Sequence, residues 1–244
     1  MYRERIASTP AKSAEAQRLK NLMLDYHDYQ QNPLNQELSG IKAELADWQT
    51  ARLKTTHHDL YNNLNFKDGI DFLLMELYGA EDFSARDRDL ERIFPKLVKL
   101  LPASLLGTVS NLVELNLLTQ RLDDAMTRAI YTHNRGREIN EHAYITAYKA
   151  SSSREERLRQ LSLVASAGDL LDRHARNPIL RFTLSVSERP AKKSGLEALH
   201  GFLMRGLDAF YAMSDVDFLM QTLIDRESRI LSRIYENNSQ PFKL

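Results

Sequence analysis

The stretch DVDFLMQTLIDRESRILSRIYEN, residues 215–237, decides the fold class. Its large apolar residues recur at steps of three and four, the spacing that places side chains on one face of an α-helix. Glu227 falls on this apolar face, and Arg226 lies at its edge. The pattern therefore predicts an amphipathic helix with one carboxylate pointing inward. The apolar stripe comprises Val216, Leu219, Met220, Leu223, Ile224, Ile230, Leu231 and Ile234.

Helical periodicity extends along most of the chain, and strand-like alternation is almost absent. Glycine and proline are scarce, with 9 and 7 occurrences. The sequence predicts an all-α, bundle-like fold of about ten helices. We expect one domain over residues 1–244, with two helical halves, 1–135 and 136–244, as the alternative organisation.

Several helix ends have local signals. Residues 35–62 read as one long polar helix, and Pro190 as the start of a helix that continues to about Met213. Ser153 and Glu156 have the spacing of a capping box, in which each side chain bonds the backbone of the other residue. Ser214 is expected to cap the last helix.

The composition excludes several classes of function. Lysine plus arginine equals aspartate plus glutamate at 33 each, so we do not expect nucleic acid as a partner. Cysteine is absent, which excludes disulfides, thiolate metal sites and cysteine nucleophiles. No signal peptide and no apolar run long enough for a membrane span is present, so we expect a cytoplasmic protein.

A second carboxylate lies within an apolar helix. In IDFLLMELYG, residues 70–79, Glu76 is surrounded by large apolar side chains and is followed two residues later by Tyr78. A carboxylate on such a face needs a partner, because burying an unpaired charge is costly. We expect Glu76 to pair with an arginine such as Arg226 or Arg92, and Glu227 to pair with an arginine or to bond a tyrosine or a backbone end.

The same stretch carries a family resemblance. FLLMELY, residues 72–78, resembles the motif of the uncharacterised bacterial FFLEELY-motif proteins, with matches at Phe72, Leu74, Glu76, Leu77 and Tyr78. It departs from that motif at Leu73 and Met75. Residues 86–102 and 189–213 also resemble that family's sequences. The resemblance implies no particular activity, and the loss of the carboxylate at Met75 argues against a two-carboxylate role.

One spacing is typical of a metal site. Glu197 and His200 form a Glu-x-x-His pair on one helical face, as in di-iron carboxylate bundles, and Glu114, Glu76 or Glu227 could supply further ligands for iron or manganese. The second Glu-x-x-His pair that such a site needs is missing. The run His57-His58-Asp59 is expected on a solvated helix face, since adjacent helical residues point about 100° apart.

No nucleophile, phosphate-loop or dinucleotide signature is present. Charge is uneven: window 68–91 holds eight acidic residues and two arginines, and window 149–193 holds ten basic and five acidic residues. We therefore expect a cofactor-free, non-catalytic protein that acts by interaction or regulation, with an unknown protein partner or as a homodimer. One alternative is a carboxylate/histidine metal enzyme. The other is a carrier of apolar small molecules or lipids, with a pocket lined by Phe72, Met75, Phe210 and Tyr211.

Overall fold

A computed structural model of the protein describes residues 2–78, 84–134, 138–175 and 177–243. These residues form twelve α-helices and no β-strand, which confirms the all-α fold class. None of the helices in these ranges combines the length and hydropathy that a bilayer crossing requires. The helices are α1 (Tyr2–Ser8), α2 (Ala14–Gln30), α3 (Gln36–Thr56), α4 (His58–Tyr61), α5 (Leu64–Tyr78), α6 (Ser84–Leu100), α7 (Ala103–Asn134), α8 (Glu141–Ser151), α9 (Arg154–Ala175), α10 (Pro178–Lys193), α11 (Glu197–Tyr211) and α12 (Val216–Tyr235).

The helices are organised in two compact units, each assembled from three separate stretches of the chain. Unit 1 contains residues 1–33, 81–114 and 167–214, and unit 2 contains residues 34–80, 115–166 and 215–244. Two of the five unit boundaries fall within α7 and α9, so both of these helices contribute residues to both units.

Unit 1 is built around the packing of α1, α2, α6 and the first part of α7. Phe94 of α6 is completely buried among residues of the other three helices. Burying each such side chain contributes roughly 1.5–3 kcal/mol. The buried cluster comprises Ile6, Ala16, Leu19, Met23, Phe94, Leu106 and Val113.

Unit 2 has a core between α3, α7 and α8. Trp48 of α3 stacks on Tyr144 of α8 with ring centroids 4.0 Å apart, and Phe242 meets Trp48 edge-on at 5.9 Å. The segment after α12 thus returns to the aromatic side of this core. The buried cluster comprises Leu45, Met126, Ile130, Ile139, Tyr144 and Ala147.

The predicted helix-start signals at Ser153 and Ser214 have different outcomes. The Ser153 backbone N–H donates to Glu156 Oε2 at 2.8 Å, and the Glu156 N–H donates to Ser153 Oγ at 3.1 Å, so the predicted capping box is formed. The expectation for Ser214 is wrong by one residue. Asp215 caps α12, with its carboxylate accepting from the Phe218 N–H at 2.9 Å.

The expectation that a helix begins at Pro190 is wrong. Pro190 lies inside α10, and a second proline, Pro95, likewise lies inside α6. The break comes at Gly195, which has a φ of 65°. The Gly195 N–H donates to Lys192 O and the Leu196 N–H to Ala191 O, which is the Schellman pattern that ends a helix at a left-handed glycine.

Candidate functional site

Glu227 of α12 is the centre of a polar cluster in unit 2. Arg52 Nη1 lies 2.5 Å from Glu227 Oε1, and His57 Nε2 lies 2.8 Å from the same oxygen. The side chain of Glu227 is 18% exposed, that of Arg52 10% and that of His57 2%. Glu227 is thus largely buried and pairs with an arginine and a histidine.

The cluster holds Glu227 in its ionised form. Burial by itself would raise the pKa of the Glu227 carboxyl, but the charge of Arg52 and the hydrogen bonds from His57 and Arg52 outweigh it and lower this pKa to about 2. Because the carboxylate is an acceptor, His57 must donate from Nε2. Its Nδ1 atom is buried and has no hydrogen-bond partner within the described part of the chain.

The structure overturns the expectation that His57 lies on a solvated face. The predicted helix over 35–62 is broken at this residue: α3 ends at Thr56, His57 has φ −110° and ψ 32°, and α4 begins at His58. The break turns His57 into the interior of unit 2, whereas His58 and Asp59 remain exposed as predicted.

Arg226 forms a second ion pair beside the first. Its Nη1 and Nη2 atoms each lie 2.7 Å from one oxygen of Asp59, a fork-to-fork geometry that fixes both side chains. The hydrogen bonds from Arg226 lower the pKa of the Asp59 carboxyl to about 2, against the opposing effect of burial. Consecutive residues of α12 thus bind two points at the junction of α3 and α4.

An open cleft of about 800 Å³ lies over these two ion pairs. Arg52 forms part of its wall, with its guanidinium carbon 5.4 Å from the centre of the Phe242 ring. The cleft therefore combines aromatic, cationic and anionic groups. Its lining residues are Trp48, Ala51, Arg52, Thr55, Thr56, His58, Asp59, Glu141, Arg226, Arg229 and Phe242.

A further buried carboxylate, Asp123 of α7, also belongs to unit 2. Gln49 Nε2 donates to Asp123 Oδ1 at 3.2 Å. Burial raises the pKa of the Asp123 carboxyl to about 6, even though Gln49, Arg157 and Lys42 favour its ionised form. Burial also raises the pKa of Tyr148, whose ring lies 4.1 Å from the Arg157 guanidinium carbon.

The residues predicted as metal ligands have other partners. Arg18 Nη2 lies 2.5 Å from Glu114 Oε2, Glu197 lies 3.8 Å from Lys192, and His200 Nε2 lies 2.8 Å from the Leu184 carbonyl oxygen. A nitrogen that donates to a carbonyl has no lone pair for a metal. In the described ranges, no three His, Cys, Asp or Glu side chains are grouped so that they could hold a metal ion.

The remaining predicted polar residues are dispersed. Glu76 is partly buried on α5, and its pairing with Arg226 or Arg92 stays a prediction. Arg92 of α6 donates to the Gly195 carbonyl oxygen at 2.5 Å, at the turn between α10 and α11. The Tyr78 side chain lies outside the described residues.

Two residues proposed for an apolar pocket differ in burial. Phe210 is completely buried, whereas Tyr211 is half exposed, with the Arg181 guanidinium carbon 4.3 Å from its ring centre. Tyr211 is therefore a surface residue of unit 1.

A second surface feature lies on α10 in unit 1. Ile179, Phe182 and Val186 are 75%, 67% and 56% exposed. They recur at steps of three and four, and Arg189 and Lys193, also exposed, continue the same line. We call this line of five residues the α10 stripe; its first half is apolar and its second half is basic.

The family assignment rests on most of the chain. The model of a family described as a domain of unknown function, DUF8198, matches residues 27–241. The chain belongs to the DUF8198 family. The DUF8198 match includes the α10 stripe and every cleft-lining residue except Phe242. No curated protein and no solved structure matches the chain.

Local sequence patterns identify only one member of the cluster of Glu227, Arg52 and His57. Glu227 is identifiable from the helical period of its own segment. Arg52 is 175 residues away from it, and no local pattern joins the two. His57 and Asp123 were missed as buried groups: each stands beside a second residue of the same type, His58 and Asp124, and no local pattern shows which of the two is buried.

Proposed function

We propose that this DUF8198 protein is a non-catalytic cytoplasmic protein that acts by binding a protein partner through the α10 stripe. We also propose that the DUF8198 family is the bacterial FFLEELY-motif family, on the strength of the matches between Phe72 and Tyr78. The observation that carries the binding function is the exposure of Ile179, Phe182 and Val186 along one helix face. Burying three large apolar side chains would stabilise a complex by roughly 1.5–3 kcal/mol each before the costs of association.

The pattern of the α10 stripe favours a groove on the partner. Anchors at positions i, i+3 and i+7 are the arrangement by which an amphipathic helix enters an apolar groove. Arg189 and Lys193 require that this groove carry acidic residues at the end that contacts the last turns of α10.

A second copy of the same stripe is a poor partner. Antiparallel pairing would place Lys193 of one copy against Ile179 of the other, and parallel pairing would place the basic halves side by side. Either arrangement buries a charge without an opposite charge. The proposed partner is therefore a different protein, and a homodimer is an alternative outcome of the test.

The test begins with a photo-crosslinking benzoylphenylalanine at position 182, introduced in cells that express the protein. The crosslinked protein is identified and purified, and its affinity is measured for the wild type, Phe182→Ser, Lys193→Glu and Leu100→Ser. Leu100 is the matched control, since it is a large apolar residue of unit 1 that is 73% exposed at the end of α6.

We expect Phe182→Ser to weaken binding by at least about tenfold, as for an interface anchor. Lys193→Glu should slow association at low salt, and Leu100→Ser should have no effect. Equal affinity for all four proteins, or a crosslink that joins only second copies or lipid, would overturn the proposal.

A further inference from the structure

The charged residues of the unit 2 cleft do not all neutralise one another internally. Three arginines and two carboxylates line it. Arg52 is paired with Glu227, which does not line the cleft, and Arg226 is paired with Asp59, which does. These two ion pairs leave one cation, Arg229, and one anion, Glu141, as the remaining charged groups of the lining.

Arg229 and Glu141 are both available to a ligand. Arg229 is exposed, and within the described ranges it forms one hydrogen bond, from Nε to the Asp225 carbonyl oxygen at 3.3 Å, which leaves its two terminal nitrogens without a partner there. Glu141 is exposed at the start of α8, and its carboxylate has no bonded partner in the same ranges. The lining therefore offers a ligand one positive and one negative charge.

The rest of the lining is suited to a flat apolar group. Trp48 and Phe242 are partly buried rings that meet edge-on, and Tyr144 supports Trp48 from one side. Thr55 and Thr56 add hydroxyl groups. A cleft with aromatic surfaces and a few charged groups that fix orientation is the usual form of a small-molecule site.

We infer that this cleft binds a zwitterionic small molecule with an apolar ring, namely an aromatic α-amino acid. The ligand carboxylate pairs with the Arg229 guanidinium, which is suited to bidentate recognition. The ligand ammonium pairs with Glu141, and the ring contacts Trp48 and Phe242. The ion pairs with Glu227 and Asp59 keep Arg52 and Arg226 from competing for the carboxylate. The inference is independent of the partner proposed for the α10 stripe.

Trp48 supplies a direct test, because it is the only tryptophan in the chain and lines the cleft. Its fluorescence, excited at a wavelength that phenylalanine does not absorb, is followed while L-phenylalanine is added. Isothermal titration calorimetry provides the second measurement. Phenylacetate, which lacks the ammonium, and phenethylamine, which lacks the carboxylate, are titrated in parallel.

We expect saturable binding of L-phenylalanine and at least about tenfold weaker binding of each analogue, the loss that corresponds to one charge-assisted hydrogen bond. Arg229→Gln should weaken binding of L-phenylalanine and phenylacetate but not of phenethylamine. Glu141→Gln should weaken binding of L-phenylalanine and phenethylamine but not of phenylacetate. The controls Arg173→Gln and Glu197→Gln, at exposed positions of unit 1, should bind like the wild type.

Three results would overturn the inference, provided that circular dichroism shows each protein to be folded. The first is the absence of saturable L-phenylalanine binding by both methods. The second is an analogue that binds as tightly as L-phenylalanine, which would make the site one for a simple anion or a simple cation. The third is unchanged affinity in both Arg229→Gln and Glu141→Gln.

Discussion

Arg52 and Glu227 are 175 residues apart in the sequence, and Arg52 Nη1 lies 2.5 Å from Glu227 Oε1. Removing one charge of a largely buried pair leaves the other without compensation. We expect Glu227→Gln to lower the free energy of unfolding by about 3 kcal/mol, measured by urea denaturation.

The neighbouring ion pair provides the control. Arg226 and Asp59 form two hydrogen bonds, but Asp59 is half exposed, so solvent already screens the pair. Asp59→Asn should cost at most about 1 kcal/mol. Similar losses in Asp59→Asn and Glu227→Gln would show that burial does not distinguish the two pairs.

The histidine pair at the break between α3 and α4 tests the burial of His57. We expect His57→Ala to cost about 2–3 kcal/mol, because it leaves a cavity and removes one donor from Glu227. His58→Ala, at the adjacent exposed position, should stay within about 0.5 kcal/mol of the wild type. Equal thermal melting temperatures of the two variants would contradict the interior position of His57.

Asp123 should make the protein more stable as pH falls, the reverse of the usual effect of a carboxylate. Its pKa in the folded protein, about 6, is above the ordinary value of 3.8, so between these values the folded state binds more protons than the unfolded state. Stability from this group therefore rises as pH falls through 6 and is lost as pH rises.

The measurement compares urea unfolding of the wild type and Asp123→Asn at pH 7 and pH 5. The wild type should gain about 1 kcal/mol more than the variant on going to the lower pH. Glu227 contributes oppositely, with stability lost as pH falls from about 4.5 toward 2, and it is present in both proteins. Parallel pH profiles would show that Asp123 titrates as an exposed group.

Gly195 should not tolerate a side chain. Its φ is 65°, and a Cβ atom there would meet the guanidinium of Arg92, which bonds the Gly195 carbonyl oxygen. Gly195→Ala should cost roughly 1–2 kcal/mol by chemical denaturation.

Gly40 of α3 should respond with the opposite sign. A Cβ atom at Gly40 has open space around it, and alanine is the better helix former, so Gly40→Ala should stabilise the protein by up to about 1 kcal/mol. A stabilising Gly195→Ala would mean that the turn between α10 and α11 adopts another conformation in solution.

The fold class was predictable because the helical period is a local property, visible in segments such as 216–234. The inward position of Glu227 followed from the same property. Its partners were not predictable, since Arg52 and His57 are brought to it by tertiary packing and by a break at residue 57. The α10 stripe was not predictable for a different reason: the helix start expected at Pro190 divides one continuous face of α10 between two segments.

The interleaving of the two units has a consequence for synthesis. Unit 1 contains residues 167–214 and unit 2 contains residues 215–244, so neither is complete until late in translation. At a translation rate of about 5–20 residues per second, the last stretch of unit 1 is synthesised on the order of ten seconds or more after Ile6. A gene split between residues 135 and 136 would therefore encode two fragments, neither of which contains all of either unit.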